Sequence, residues 1–429
     1  MTKFNRKAIP LGLLLIGTAG SAWSAGFALL EQNASGAGTA YAGKAAVAED
    51  ASTAWFNPAG MTRLKRAELV VGLHAINVNA DFQNNGSEAA AGRAIGNDGG
   101  NAGGTAFVPN FHIVKPINEK TTFGFSLGVP FGLATDYSEG WVGRYQGLKS
   151  QIETIDLNPS LAMQVDENLS IGFGVSVQQL KAKLTQDIAY PFSGGQDGRV
   201  TIKGDSIDYG FNVGALLQAG PATRLGLAYR SAVKHKLTGD VSFTNRQNLS
   251  TPVAAQFPDG ELRSTVELPE SLALSSVTQL SDRWDLMTDF TYTGWSSIQE
   301  LRFDRVVNNG QPLPAQNYNW KNTMRYAAGA SYKYNEKIKI RFGMAFDESP
   351  VPENQRKVRL ADQDRIVVAV GSQYQLSDTC RVDLGFQYVK ARNAPIDDNS
   401  DGQTNQFGRV KGNYKADAQI LSAQFSHRF

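Results

Sequence analysis

Alternation of apolar and polar residues runs through this chain almost without a break from residue 66 to its aromatic last residue, Phe429. In the stretch 169–178, for example, the odd positions are apolar and the even positions are polar or glycine. Side chains of a β-strand point alternately to its two faces, so each such stretch forms a strand with one apolar face. A long succession of these strands behind an export signal indicates a wall between lipid and a polar lumen.

The composition excludes a helical membrane protein, because the chain is only 41% hydrophobic and lacks the runs of roughly 20 apolar residues that spanning helices need. The one comparable run, 11–16, follows Lys3, Arg6 and Lys7 at the N-terminus and precedes small residues. This arrangement is typical of a secretory signal peptide, predicted to cover residues 1–24. A helical anchor is the alternative, but the run is too short for one.

Charge and cysteine usage agree with the bacterial envelope. Removal of the signal peptide takes away three cations and changes the formal net charge from +2 to −1. A nearly neutral protein gives no electrostatic reason to expect nucleic acid as a partner. The single cysteine, Cys380, cannot form an internal disulfide, so stability has to come from the strand ladder.

Residues 25–66 do not alternate and are predicted to form a plug inside the barrel. The stretch 34–43 is built of small residues that permit close backbone packing. A free tail is the alternative, but the apolar residues Phe27, Leu29, Trp55 and Phe56 would be better buried, and the lumen is the available place.

Residues 67–429 are predicted to form an all-β, 14-stranded antiparallel transmembrane barrel. An even number of strands allows closure, which removes the sheet edges that lipid cannot hydrate. Short turns such as 118–120 alternate with long polar loops such as 392–411, as expected for the periplasmic and outer ends. The candidate strands lie near 68–82, 105–117, 121–132, 149–166, 168–188, 199–219, 222–243, 262–280, 282–303, 320–334, 336–347, 363–376, 378–391 and 412–429.

The third strand carries Pro130 between Gly128 and Gly132. Proline removes a ladder donor and glycine permits a bulge, so the strand is expected to kink there and part from its neighbour. An ordinary strand end is the alternative.

No pattern points to catalysis, a metal site or a cofactor. The four histidines are scattered without metal-ligand spacing, and no Gly-x-Ser-x-Gly elbow is present. We therefore expect a protein that is not an enzyme, rather than an outer-membrane lipase or protease.

Several short motifs, in this order, resemble those of the FadL family of outer-membrane long-chain fatty-acid transporters, and the resemblance covers essentially the whole mature chain. A lone Asn-Pro-Ala is a weak signal, whereas the ordered set is specific. Ala361 departs from the proline that is usual in the family. The motifs are Ala25-Gly26-Phe27, Trp55-Phe56-Asn57-Pro58-Ala59-Gly60, Gly132-Leu133-Ala134-Thr135-Asp136-Tyr137, Leu268-Pro269-Glu270, Tyr292-Thr293-Gly294-Trp295-Ser296, Asp347-Glu348-Ser349-Pro350-Val351-Pro352 and Asp362-Gln363-Asp364-Arg365.

The resemblance implies a barrel blocked by an N-terminal hatch, with a side opening at a kinked third strand. It assigns the gate to Phe27 and to Asn57, Pro58 and Ala59. It places the side opening at Gly128, Pro130, Phe131 and Gly132.

The resemblance also implies passive uptake of long-chain fatty acids and their lateral release into the bilayer. Lys321 matches a basic head-group residue, but Gln186 stands where the family has an arginine; Lys181 and Lys183 are candidates to replace it. Neutral hydrocarbons are the alternative ligands, and a general porin is a further reading. The expected partners are the hydrophobic ligand, outer-membrane lipid and the barrel-assembly machinery, which would read the strand ending at Phe429. We expect a monomer.

Overall fold

The computed structural model describes residues 26–191, 193–246, 249–306 and 313–429. The predicted signal peptide, 1–24, lies outside the described residues. No helix in the described ranges is long and apolar enough to cross a membrane.

The strands form a closed antiparallel barrel of fourteen strands, which confirms the predicted fold class. Each pairs with its neighbours along the chain, and the last pairs with the first from Glu68–Arg428 to Asn84–Gly412. Interruptions divide six barrel strands, namely β3–β4, β8–β9, β10–β11, β12–β14, β15–β16 and β19–β20. The bounds are β1 Glu68–Asn84, β2 Gly104–Pro116, β3 Thr121–Gly128, β4 Gly132–Asp136, β5 Lys149–Gln164, β6 Leu169–Ile188, β7 Gly198–Gln218, β8 Thr223–Arg230, β9 Val233–Phe243, β10 Gly260–Leu268, β11 Ser271–Gln279, β12 Trp284–Thr293, β13 Glu300–Leu301, β14 Asp304–Arg305, β15 Gln316–Asn317, β16 Thr323–Lys333, β17 Ile338–Asp347, β18 Arg365–Gln375, β19 Cys380–Ala391, β20 Ala394–Asp398 and β21 Val410–Arg428.

Helices are short and few in the described residues. They are α1 Ala34–Ala37, α2 Thr53–Phe56, α3 Thr251–Ala254 and α4 Thr404–Phe407, with 3-10 turns at Pro58–Arg63, Trp295–Ser297, Glu353–Gln355 and Ser400–Gly402. The long loop predicted at 392–411 contains β20, and the intervals between predicted strands at 304–319 and 133–148 contain β14, β15 and most of β4. The alternation of apolar and polar residues near the loop ends of these strands is too weak to mark where each strand ends.

The alternation places apolar side chains outside and polar ones inside. Phe342 and Met344 on β17 are exposed to the surroundings, whereas Arg341 between the strand's apolar positions is buried. Arg341 pairs with Asp383 of β19 at 2.7 Å. This is the inverse of a water-soluble barrel and suits a lipid-facing wall.

Residues 26–64, which we call the N-terminal segment, pack against inward-facing positions of strands on several sides of the barrel. Glu49 pairs with Arg341 at 2.6 Å, and Lys44 pairs with Asp289 of β12 at 3.0 Å. The backbone of Thr39 approaches Gly343 of β17 so closely that a Cβ there would lie 2.1 Å from the Thr39 carbonyl carbon. Charge pairing and backbone contact therefore both hold the segment to the wall.

We expect Gly343→Val to loosen this segment by about 1–3 kcal/mol, because the added side chain overlaps backbone. Protease cleavage within 26–64 of the outer-membrane protein would measure the loosening, and heat-modifiable gel mobility would check the barrel. Gly204→Val is the matched control, since its Cβ would be 3.4 Å from the nearest atom. Equal protection of both variants would contradict the prediction.

Candidate functional site

An aromatic cluster surrounds Phe27 at the start of the N-terminal segment. The Phe27 ring lies 5.8 Å from Phe131, 5.1 Å from Trp295 and 5.9 Å from Trp320, measured between ring centroids. Phe27 is only 4% exposed. Edge-to-face packing of this kind adds to the stability from apolar burial, so the cluster is a firm partition.

Two cavities lie on either side of this partition. The upper cavity, toward the long loops, is bounded by Phe27 together with leucines such as Leu180 and Leu237. The lower cavity is bounded by Leu29, Pro130 and Phe131. Phe27 lines the upper cavity, and Phe131, whose ring it contacts, lines the lower one.

The third barrel strand breaks where Pro130 occurs. β3 ends at Gly128 and β4 begins at Gly132. In the break, the Thr154 hydroxyl replaces a ladder partner: it accepts from the Phe131 amide at 2.9 Å and donates to the Phe131 carbonyl at 2.7 Å. The chain thus bends without leaving these backbone groups unsatisfied.

A gap separates this bent strand from β2. Their ladder ends at the pair Phe111–Leu127, and the next backbone contact across the gap is from the Asp136 amide to the Ala102 carbonyl at 3.1 Å. β2 itself continues to Gly104 in its pairing with β1. The wall therefore has an unpaired edge at the level of the lower cavity.

The N-terminal segment is hydrogen-bonded to the bent strand at this gap. The Leu29 amide donates to the Pro130 carbonyl at 2.7 Å, and the Gly132 amide donates to the Phe27 carbonyl at 2.9 Å. The Gln32 side chain donates to the Val129 carbonyl at 2.7 Å and accepts from its amide at 3.2 Å. The residue that closes the partition and the strand at the gap are therefore hydrogen-bonded to each other.

Asn57, Pro58 and Ala59 hold the far end of the segment. The Asn57 amide donates to the carbonyls of Ala45 at 2.7 Å and of Ala215, on β7, at 3.0 Å, while its oxygen accepts from the Ala59 amide at 3.1 Å. Asn57 is fully buried, so each of these bonds replaces a lost contact with water. The motif fastens the segment to the wall rather than lining a cavity.

The structure does not bring the predicted lysines to the upper cavity. Lys181 and Lys183 lie on the outer face of β6, whereas Ala182 and Leu184 between and beyond them line the cavity. Lys321 is exposed, and its neighbour Trp320 is the residue that enters. The strand's two-residue period explains the correction for β6: odd positions cannot reach the lumen when even positions line it.

Arg359, which the sequence reading missed, is the cation that lines the upper cavity. It comes from the loop between β17 and β18 and is 4% exposed. Its guanidinium donates to Gln186 Oε1 at 2.6 Å and to Ser150 Oγ at 3.2 Å. Burial lowers the pKa of Arg359, but an arginine starts so high that it keeps its charge.

Donors without acceptors mark the same cavity. Arg359 Nε and Trp320 Nε1 are buried and have no hydrogen-bond partner. Tyr318 also lines the cavity; burial raises its pKa to about 12, so its hydroxyl stays protonated, and it already donates to Gln316 Oε1 at 3.2 Å. An acceptor bound in the cavity would satisfy such donors. No linear pattern joins these three positions, which explains why sequence analysis did not find them.

Among the described residues, no group of three or more His, Cys, Asp and Glu is arranged to hold a metal ion.

Comparisons with known proteins identify a family and relatives to which this chain is similar. Residues 15–429 match the family model described as outer membrane protein transport protein (OMPP1/FadL/TodX). The long-chain fatty acid transport protein of Salmonella typhi is 32% identical, over 95% of this chain and 98% of the relative. Outer membrane protein P1 of Haemophilus influenzae (strain ATCC 51907 / DSM 11121 / KW20 / Rd) is 31% identical, with 91% of each chain covered.

Solved structures show the same architecture. A Pseudomonas aeruginosa FadL homologue superposes with a TM-score of 0.87 at 26% identity, covering 94% of this chain and 100% of the other. The Pseudomonas putida toluene transporter TodX has a TM-score of 0.65 at 17% identity, covering 94% and 99%, and shares the fold.

We expect Phe27→Ala to join the two cavities, since the partition loses its central ring. A planar-bilayer recording of the purified protein would show added ion leakage, and near-ultraviolet circular dichroism would show loss of the aromatic signal. Phe56→Ala is the control, because Phe56 contacts Tyr41 of the same segment and lies outside this cluster. Identical leakage from both variants would show that Phe27 is not the partition.

Proposed function

The chain belongs to the outer membrane protein transport protein family that includes OmpP1, FadL and TodX, and we propose that it imports long-chain fatty acids across the outer membrane by passive, hatch-gated movement and lateral release. The protein is an outer-membrane β-barrel of a transporter family. The relatives named for fatty-acid transport support the choice of ligand. The observation that carries the proposal is the pair of cavities divided at Phe27 beside a gap in the wall.

The physical requirements of fatty-acid uptake favour a path through these apolar cavities. A fatty acid enters lipid unaided, at ~0.8 kcal/mol for each buried methylene, so its obstacle is the polar outer layer of the envelope. An apolar cavity within the outer end of the barrel would shelter the chain across that layer. No open aqueous pore is required, in contrast to a general porin.

Lateral release is the step that we assign to the gap at residues 129–131. A ligand that displaces Phe27 would strain the bonds that join the N-terminal segment to Pro130 and Gly132 of the bent strand. The lower cavity already reaches Pro130 and Phe131, so the chain could leave sideways into the bilayer. This step needs no energy source and no cofactor.

The unsatisfied donors favour a carboxylate over a neutral hydrocarbon. Arg359 and Trp320 offer a positive charge and unpaired N–H groups at the rim of an apolar space, beside the Tyr318 hydroxyl that donates to Gln316. We therefore assign the head-group role to Arg359 rather than to the lysines. Arg359 is hydrogen-bonded to Gln186, which stands at the position where the family resemblance implies an arginine.

Three further assignments belong to the proposal. Residues 25–66 act as the plug, and 67–429 as the barrel that holds it. The protein works as a monomer, and the barrel-assembly machinery recognises the last strand and Phe429, which is 64% exposed.

Uptake of labelled oleate by cells that lack their own transporter tests the proposal. We expect the wild type to support saturable uptake and the Asn57→Ala/Pro58→Ala variant to lose most of it. Each buried carbonyl left without its donor costs about 1–3 kcal/mol, so the segment would no longer hold its place. Asn79→Ala is the control, because its amide bonds within the wall, to Asp417 at 3.2 Å. Toluene uptake without oleate uptake would refute the fatty-acid assignment.

Arg359→Gln should weaken oleate binding by about 10- to 100-fold, the loss of a charge-assisted bond, and leave toluene binding nearly unchanged. Lys321→Gln is the matched control, since it removes an exposed cation outside the cavity. Equal loss for oleate and toluene would mean that Arg359 only shapes the cavity. Heat-modifiable mobility of each variant would confirm that the barrel has formed.

A further inference from the structure

A second interruption of the wall lies between β10 and the chain that follows β12. The β11–β12 ladder ends at Ser271–Thr293, and pairing of β10 with β14 is limited to Leu262–Arg305 and Arg263–Asp304. One further backbone bond, from the Gly294 amide to the Glu270 carbonyl at 3.0 Å, follows that ladder, and residues 264–269 and 295–303, all described, then face each other without one. The two stretches differ by three residues, so one of them has to leave the sheet.

The longer stretch turns inward. Its 3-10 turn buries Trp295 completely against Phe27. It then pairs with β15 as a small separate sheet, Glu300–Asn317 and Leu301–Gln316. The edge of β10 therefore remains in the wall without a ladder partner along this stretch.

Side chains connect the two stretches, which we call the banks of the interruption, at intervals. Ser297 Oγ donates to the Glu267 carbonyl at 2.8 Å, and Ser264 Oγ donates to the Arg302 carbonyl at 2.7 Å. Such bonds satisfy backbone groups without closing the wall as a continuous ladder does. We call the opening between these banks the side window. At about 3.3 Å per residue along a strand, its β10 bank is roughly 20 Å long.

The upper cavity extends into this window. Its lining includes Thr265 and Val266 on one bank, and Ile298, Glu300 and Leu301 on the other. Thr265 and Glu300 are exposed on the outside of the barrel, while Phe27 closes the inner end. The space thus runs from the partition to the outer surface.

The window lies where the apolar belt ends. Below it, the outward side chains Leu272, Leu274 and Phe290 are exposed and apolar. Beside and above it, the outward positions are charged and exposed, as in Arg263 and Lys236. This boundary is the level at which an amphiphile places its head group in water and its tail in lipid.

We propose that the side window admits single-chain amphiphiles of the long-chain carboxylate class from the outer face of the bilayer directly into the upper cavity. This inference rests on the proposed function, because it takes the upper cavity as the ligand site. It adds a separate entrance on the outer side of Phe27, whereas release through the gap at 129–131 lies beyond Phe27. A fatty acid already dissolved in the outer leaflet could then enter without returning to water.

A disulfide across the window tests this. Glu267→Cys/Ser297→Cys joins the banks where Ser297 Oγ already lies 2.8 Å from the Glu267 carbonyl oxygen. The background carries Cys380→Ser, to remove the native thiol, and Trp284→Phe, to remove a lipid-exposed fluorophore. The protein is placed in vesicles preloaded with a tail-brominated stearic acid, and the rate of tryptophan quenching is followed. The matched control is Thr278→Cys/Leu286→Cys, a ladder pair in the same hairpin.

We expect the oxidised window pair to load at least tenfold more slowly than its reduced form, and the control pair to load at one rate in both forms. An unchanged rate in the oxidised window pair would overturn the proposal. If oxidation abolishes quenching altogether, the experiment is repeated with the disulfide formed after the ligand has been loaded. A ligand that is then retained supports a blocked entrance. A ligand that is expelled shows that the cavity has collapsed, and this result overturns the proposal. Absence of saturable quenching in the background protein would instead refute the proposed function.

Discussion

A barrel wall in lipid has to satisfy every backbone amide and carbonyl from within the protein, and the rest of this structure depends on that constraint. Closure of the last strand on the first removes both sheet edges. Wherever the ladder is interrupted, another group has to take its place. Thr154 and residues 27–32 do so at the first interruption, and serine side chains do so at the second. The interruptions are therefore built features of the wall.

Both interruptions adjoin a cavity, and the same aromatic cluster stands between them. Phe27 contacts Phe131, from the break after β3, and Trp295, from the stretch that leaves the sheet after β12. One side chain is thus in contact with both openings. The N-terminal segment gains its hold on the wall from buried charge pairs such as Lys44–Asp289 and from close backbone approach at Gly343. Its first residues are hydrogen-bonded to the interrupted strand, and Phe27 among them also lines the upper cavity.

The sequence predicted the barrel well because the signal was periodic and repeated. The alternation of β17 and β21 follows from one apolar and one polar face, and Pro130 between two glycines marked the break after β3. The cation that lines the upper cavity was harder to predict. Lys181 was considered because it lies close to Gln186 along the chain, but its odd position on β6 points outward. Arg359 occupies a polar loop in which no periodicity distinguishes it from its neighbours. The interruption after β12 was also missed: the predicted strand 282–303 runs through it, although Trp295 belongs to one of the motifs that carry the resemblance.

By itself, the sequence determined the class of wall, the number of its strands and the face that meets lipid. Each of these depends on the two-residue period of the β-strand, which is a local property of the chain. Tertiary structure alone decided which cation reaches the cavity, which ring divides it and where the second interruption opens. Those features join residues hundreds of positions apart, such as Phe27 with Trp295 and Arg359 with Gln186. They arise from closure of the barrel around the N-terminal segment, which brings distant strands and loops to one place in space.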